Sequence, residues 1–150
     1  MKAVVTRVKE AKVEIDEKVV GKIGNGFLIL LGVGEGDTED EAKFLAEKIA
    51  HLRVFSDENG KMNLSLEDVN GELLIVSQFT LYADLKSRRP GFTKAAKADL
   101  ANELYEKFIA YCKDFGFKVA CGEFGADMQV YSINDGPVTL IYNTDELCKH

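Results

Sequence analysis

Seven residues, Phe27-Leu28-Ile29-Leu30-Leu31-Gly32-Val33, constrain this chain more than any other stretch. The run is far too short to cross a bilayer, and a continuous apolar segment of this length reads as a buried strand. Leu73 to Val76 is a second such strand, and it runs into Ser77-Gln78-Phe79-Thr80-Leu81. Upstream, Val4, Thr6 and Val8 alternate with Val5 and Arg7, and Val13 and Ile15 alternate with Lys12, Glu14 and Asp16. Residues 2–33 therefore read as strands, punctuated by Gly21, Gly24, Gly26 and the Gly32-to-Asp37 stretch.

Thr38 opens a helix, with Glu41 three residues later completing a capping box. Ala42, Leu45, Ile49 and Leu52 give it one buried stripe to about Arg53. Asn59-Gly60 and Asn70-Gly71 are turn dipeptides; between them Met62-Asn63-Leu64-Ser65 fits either a loop or a short helix. A second helix fits Thr93 to about Phe115, with Ala96, Leu100, Leu104 and Phe108 at i+4 steps. Strands over about 117–121 and 126–133 lead to a turn, Asn134-Asp135-Gly136-Pro137, and a final strand, Val138 to Tyr142. Strand runs broken by two helices imply one α+β layered domain. With 150 residues the chain can bury about two-thirds of its unfolded surface, so its core needs neither disulfide nor metal.

Composition removes several chemistries. Cys112, Cys121 and Cys148 are odd in number and never spaced C-x-x-C, which argues against a disulfide framework. His51 and His150 are the two histidines, and a metal site built from His and Cys needs three or four convergent ligands that nothing in the sequence is spaced to supply. A Ser-His-Asp arrangement would have to use His51, which lies at the end of a helical pattern and reads as structural. The first dozen residues hold Arg7, Lys9, Glu10 and Lys12, so no signal-peptide core is expected, and the chain reads as soluble and cytoplasmic. The net charge of −6 argues against a protein that coats nucleic acid or membrane over its whole surface.

Three features point to function. Residues 86–97 hold Lys86, Arg88, Arg89, Lys94 and Lys97 with no acidic residue, while the rest of the chain carries 14 basic against 25 acidic residues. A compact positive patch on an acidic body suits a small phosphate-rich element. Ser77-Gln78-Phe79-Thr80 closes a buried strand, where consecutive backbone N–H groups can form an oxyanion hole. Gly136-Pro137, one of only two prolines, sits where a tight turn enters a strand; for such a bond in isolation trans is the rule, cis occurring in about 5–6%.

Taken together these segments resemble the D-aminoacyl-tRNA deacylase family. The resemblance runs from Met1 to about Tyr142 through Arg7-Val8, Gly21-Lys22-Ile23-Gly24, Leu30-Leu31-Gly32-Val33, Arg53-Val54-Phe55-Ser56-Asp57 and Gly60-Lys61-Met62-Asn63. It continues through Ser77-Gln78-Phe79-Thr80-Leu81, Phe124-Gly125-Ala126-Asp127-Met128-Gln129-Val130 and Asn134-Asp135-Gly136-Pro137-Val138-Thr139. Ser87 and Gly91 depart from the family, which often has Gly and usually Ser at those places. Residues 143–150 lie outside the resemblance as a tail, and chain ends are where disorder concentrates.

The resemblance implies layered β-sheets with two main helices packed on one side, in a homodimer whose Gly136-Pro137 turn enters the partner's active site. It implies hydrolysis of D-aminoacyl-tRNA, with Phe79 and Thr80 supplying oxyanion N–H groups and the ribose 2′-hydroxyl assisting. Ser77, Gln78, Met128, Gly136 and Pro137 would contact substrate; Lys86, Arg88 and Arg89 would hold the acceptor end. No metal or organic cofactor is implied, and no membrane partner. A cis Gly136-Pro137 bond is expected, its carbonyls forming a wall that excludes L side chains but spares glycine, so that Gly-tRNA is also cleared. Two other classes stay open: a non-catalytic binder of RNA 3′ ends, and a small-molecule esterase with Thr80 as nucleophile.

Overall fold

The computed structural model describes residues 1–148 and runs β1 (Lys2–Ile15), β2 (Lys18–Ile23), β3 (Gly26–Gly32), α1 (Glu39–Ala50), β4 (Phe55–Ser56), β5 (Met62–Leu64), β6 (Glu72–Ser77), a 3-10 turn (Phe79–Tyr82), α2 (Ala98–Asp114), β7 (Val119–Cys121), β8 (Gln129–Asn143) and α3 (Thr144–Leu147). The alternating runs near the N-terminus join into the single strand β1, which pairs on both edges. One edge meets β3 and then β2, antiparallel, with Ala3 opposite Leu31 and Ala11 opposite Ile23. The other is covered by β8 from Lys2 opposite Asn143 to Glu14 opposite Gln129. β6 lies parallel to β3, and β7 parallel to β6, completing a six-stranded mixed sheet. β4 and β5 form a separate two-stranded ribbon.

The apolar run that reads as a buried strand owes its lack of alternation to burial on both faces. Phe27, Ile29 and Leu31 of β3, with Leu73 and Ile75 of β6, join Leu45 and Ile49 of α1 and Leu104 and Phe108 of α2 in one cluster. Leu28, Leu74 and Val76 point the other way, against Val8, Val13 and Ile23. The second cluster closes because the sheet curls. A Cβ added at Gly21 of β2 would lie 2.9 Å from the Cys121 carbonyl oxygen of β7. Gly26 is required where β3 meets β6: at φ 158° its hypothetical Cβ would sit 1.8 Å from the Glu72 carbonyl oxygen.

Most expected elements form, with three corrections. Met62–Leu64 is neither loop nor helix but β5, because Leu64 pairs with Phe55. The second helix begins at Ala98 rather than Thr93. The backbone of residues 94–96 is instead tied to the loop after β3, with Ala96 N–H donating to the Val33 carbonyl at 3.0 Å and Glu35 N–H to that of Lys94 at 2.9 Å. Asn134–Pro137 does not separate two strands; it is a bulge inside β8, since Val8 pairs with Asn134 and Thr6 already pairs with Thr139. The strands form one large mixed sheet and a small two-stranded ribbon, and both main helices pack on one face as expected.

Met1 meets the start of α3. The buried Met1 ammonium lies 2.8 Å from Asp37 Oδ2 and donates to Thr144 Oγ1 at 2.7 Å, while Thr144 N–H donates to the Met1 carbonyl at 2.9 Å. The segment after Tyr142 is therefore docked as far as the described residues reach; residues 149–150 of the expected tail lie outside them. Asp37 also accepts the Gly34 N–H at 2.7 Å. Removing that carboxylate strands a buried cation, at a cost of about 3–5 kcal/mol. Deleting the Thr38 cap costs about 1 kcal/mol. Urea unfolding of Asp37→Ala and Thr38→Ala should therefore show the larger loss for Asp37→Ala.

Candidate active site

The parallel strands β3, β6 and β7 end on one side of the sheet, and crevices at the carboxyl ends of parallel strands are where such sheets bind ligands. Ser77 ends β6 there. Gln78 N–H donates to the Leu31 carbonyl at 2.8 Å, and the chain then turns through Phe79–Tyr82. The turn is closed by Leu81 N–H to the Gln78 carbonyl at 3.3 Å and Ala83 N–H to that of Thr80 at 3.1 Å. Like the first donors of any helical turn, the N–H groups of Phe79 and Thr80 have no partner among the described residues. Two adjacent, unspent amides follow directly from a strand that stops and a chain that tightens.

The side chains around them are polar and include one basic group, Lys2, whose Nζ donates to the Leu81 carbonyl of the turn at 3.4 Å. Gln78 Nε2 donates to Thr80 Oγ1. Phe79 and Thr80 are exposed, and Ser77 and Gln78 are half-buried. His51 is at the far end of α1, bonded through Nδ1 to the Glu47 carbonyl and packed edge-on against Phe115. Twelve residues of helix separate it from Thr38, about 18 Å. Burial pushes the Cys112 thiol up to about 12, which keeps it protonated and unreactive. Among the described residues the Thr80 hydroxyl is bonded to the Gln78 amide and to no imidazole, carboxylate or amine, which leaves it poorly equipped as a nucleophile. Two unspent amides beside an exposed hydroxyl can stabilise an oxyanion and orient an ester.

Two further expected pieces come to this edge. Phe92 packs edge-on against Phe79 with ring centroids 5.0 Å apart, so the basic loop that precedes it lies beside the site. That loop is closed by Asp84 and Gly91, whose backbones exchange hydrogen bonds of 2.7 and 3.0 Å, and it leaves Lys86, Arg88 and Arg89 exposed. Met128 packs against the second apolar cluster and approaches Gly122, which follows β7 and donates its N–H to the Ile75 carbonyl at 3.1 Å. Tyr105, which the sequence reading did not single out, holds this corner. Its hydroxyl donates to the Ile75 carbonyl at 3.0 Å, and burial raises its pKa so that it stays a neutral donor.

Gly136 and Pro137 are not brought there. Their peptide bond is cis and both residues are exposed. They lie opposite the Arg7 row of β1, three strands from β6 and four residues short of Ser77 along it. By strand geometry that separation is on the order of 20 Å within one protomer. The bulge is held by Arg7, a second residue sequence reasoning passed over as a site member. Its buried guanidinium donates through Nε to the Asp135 carbonyl at 3.2 Å and through Nη1 to the Val54 carbonyl, with Asp135 Oδ2 at 3.5 Å. A charged residue sharing β1's inward parity with Ala3 and Val5 was the available signal. On either side of the bulge, β8 is exposed and apolar, at Val130, Tyr131 and Ile133 before it and at Ile141 after it, the last 75% exposed.

Comparison with known proteins follows this geometry. The family described as D-Tyr-tRNA(Tyr) deacylase matches residues 4–143. The D-aminoacyl-tRNA deacylase of Thermosipho africanus is 60% identical over 148 residues, covering 98% of this chain and 99% of the relative. That of Thermus aquaticus is 58% identical, covering 97% of each. Among solved structures, a c-Myc DNA unwinding element binding protein superposes with a TM-score of 0.90 at 40% identity, covering 95% of this chain and 98% of that one. A probable eukaryotic D-amino acid tRNA deacylase has a TM-score of 0.77 at 18% identity, covering 94% and 97%, a likeness of fold alone.

Arg7→Met would leave two carbonyls without their charged donor, at about 1–3 kcal/mol each where buried. Arg7→Lys keeps the charge but loses the planar fork that serves both. Thermal melting should rank wild type above Arg7→Lys and Arg7→Lys above Arg7→Met; equal melting of Arg7→Lys and wild type would show that the fork is dispensable.

Proposed function

The chain belongs to the D-Tyr-tRNA(Tyr) deacylase family, and we propose that it hydrolyses the ester of D-aminoacyl-tRNA, releasing free D-amino acid and tRNA. The observation that carries the mechanism is the pair of unpartnered amides at Phe79 and Thr80, on a turn where the Thr80 hydroxyl is bonded to Gln78 and the Lys2 amine donates to the Leu81 carbonyl instead. An aminoacyl ester beside a ribose hydroxyl is already activated, so orientation and charge stabilisation suffice. Water adds to the ester carbonyl with the 2′-hydroxyl of the terminal adenosine assisting. The carbonyl oxygen takes the negative charge facing the two amides. Collapse breaks the bond to the ribose oxygen, which leaves with the proton that water gave up. Ser77, Gln78 and Met128 line the substrate, and this route calls for no metal or organic cofactor.

Lys86, Arg88 and Arg89 form the contact for acceptor-end phosphates, on a loop whose charge opposes that of the acidic remainder. The same surface would serve a binder that does not turn substrate over, and the DNA-element name of one structural relative is of that kind. Turnover separates the readings. Cytoplasmic location follows as part of the proposal, since charged tRNA is used there.

Chirality requires a second protomer. Gly136 and Pro137 lie too far from Phe79 to act on the same ester, yet they are exposed, anchored by Arg7 and flanked by the apolar face of β8. A long edge strand with exposed apolar residues is a surface that proteins cover. A homodimer through this face carries the turn of one protomer into the site of the other. Main-chain atoms suit the exclusion of L side chains because no rotamer change moves them aside. Discrimination by a missing methyl in a pocket gives only about 1–3 kcal/mol, whereas a clash removes the productive geometry. Glycine has nothing to clash, so Gly-tRNA is a substrate as well.

Purified protein should release D-tyrosine from labelled D-Tyr-tRNA and leave L-Tyr-tRNA intact under the same conditions. Binding of D-Tyr-tRNA without release would establish the non-catalytic reading, and comparable rates on the two enantiomers would remove the chirality account.

A further inference from the structure

Both amides assigned to the oxyanion flank one atom, the Cα of Phe79. The Phe79 N–H belongs to the peptide before it and the Thr80 N–H to the peptide after it, so whatever fixes Phe79 aims both donors. The turn does this poorly alone. It is four residues long, with closing bonds of 3.3 and 3.1 Å, and isolated 3-10 turns have weak hydrogen-bond geometry. The Phe79 ring is 55% exposed, and it meets the Phe92 ring with centroids 5.0 Å apart and planes at 67°, the edge-to-face arrangement aromatic pairs prefer.

Phe92 is itself held from behind. Its carbonyl accepts Ala95 N–H at 3.2 Å, and Lys94 and Ala96 are tied by backbone hydrogen bonds to the loop after β3. Immediately before it, Gly91 closes the basic loop on Asp84. One half-buried ring thus joins the loop that carries Lys86, Arg88 and Arg89 to the residue that orients the two donors.

We propose that Phe92 is a positioning residue for ester hydrolysis: it braces Phe79 so that the Phe79 and Thr80 amides face the developing oxyanion, and it links that orientation to the seating of acceptor-end phosphates on the loop. The proposal rests on the oxyanion role given above to those amides. It assigns Phe92 an effect on turnover rather than on substrate affinity, because the ring touches the donors' residue and carries no charge.

The test combines steady-state kinetics on D-Tyr-tRNA with backbone amide NMR of the full-length protein. Phe92→Leu keeps apolar bulk without the ring, Phe92→Tyr keeps the ring, and Phe92→Ala removes both. The NMR probe is an amide-linked D-tyrosyl adenosine, which occupies the site without being cleaved. Phe92→Leu and Phe92→Ala should lower kcat about tenfold or more with KM within about threefold, misaimed donors being costly even when displaced slightly. Phe92→Tyr should restore most of the turnover. In wild type the probe should shift the Phe79 and Thr80 amides, and in Phe92→Leu those shifts should shrink. Unchanged kcat in Phe92→Leu despite shifted wild-type amides, or equal losses in Phe92→Leu and Phe92→Tyr, would overturn the role of Phe92 alone. Absence of any shift at the two amides in wild type would overturn the oxyanion reading, and the role of Phe92 with it.

Discussion

Two parallel strands with apolar side chains on both faces set the terms for the rest of this fold. Phe27, Ile29, Leu31, Leu73 and Ile75 must be covered on one side and Leu28, Leu74 and Val76 on the other. At about 25 cal/mol per Å² of apolar surface, neither face can be left to solvent. The helices α1 and α2 cover the first. The second is covered by the sheet itself, which curls until β2 meets β7, and that curl is possible because Gly21 has no side chain. β1 must then be long enough to pair with β3 at one end and β2 at the other, and its free edge takes up β8.

The site is a by-product of where β6 stops. Strands β3 and β6 end together at Leu31 and Ser77, and beyond them the chain tightens into a single turn that leaves two amides unspent. Among the described residues no imidazole is drawn to this turn: His51 caps the far end of α1, while Cys112 is buried between α2 and the sheet and Cys121 ends β7 opposite Ile75. The proposed reaction rests on main-chain donors and on a substrate activated in advance. In the proposed account the stereochemical filter is main-chain too, which lets the enzyme judge a side chain without contacting it through a mobile group.

What was legible in the sequence was whatever local pattern decides. The two-faced strands, the Thr38–Glu41 capping box and the stripe through Ala42, Leu45 and Ile49 all stand in the structure as the residues suggest. The motif at Ser77–Thr80 was legible mainly through its resemblance to a family, since four polar or aromatic residues after a strand are ordinary by themselves. What was hidden depends on distant partners. Leu64 is in a strand because Phe55 lies opposite it. Residues 94–96 are diverted from the helix by Val33 and Glu35, about sixty positions earlier in the chain. Asn134-Asp135-Gly136-Pro137 carries every local mark of a turn, yet β1 pairs with both of its flanks and makes it a bulge. The roles of Arg7 and Tyr105 depend on carbonyl partners far away in the chain, and for Arg7 the sequence held only the hint of a charge at an inward position of β1.

The central claim is that hydrolysis here proceeds on backbone donors without a side-chain nucleophile, and Thr80→Ala tests it most directly, because the substitution removes the hydroxyl and keeps the amide. The measurement is kcat on D-Tyr-tRNA for Thr80→Ala beside acid-quenched mass spectrometry of the wild type during turnover. The account predicts a kcat within about tenfold of wild type and no acylated protein. A loss of several orders of magnitude, together with an acyl group trapped on Thr80, would contradict it.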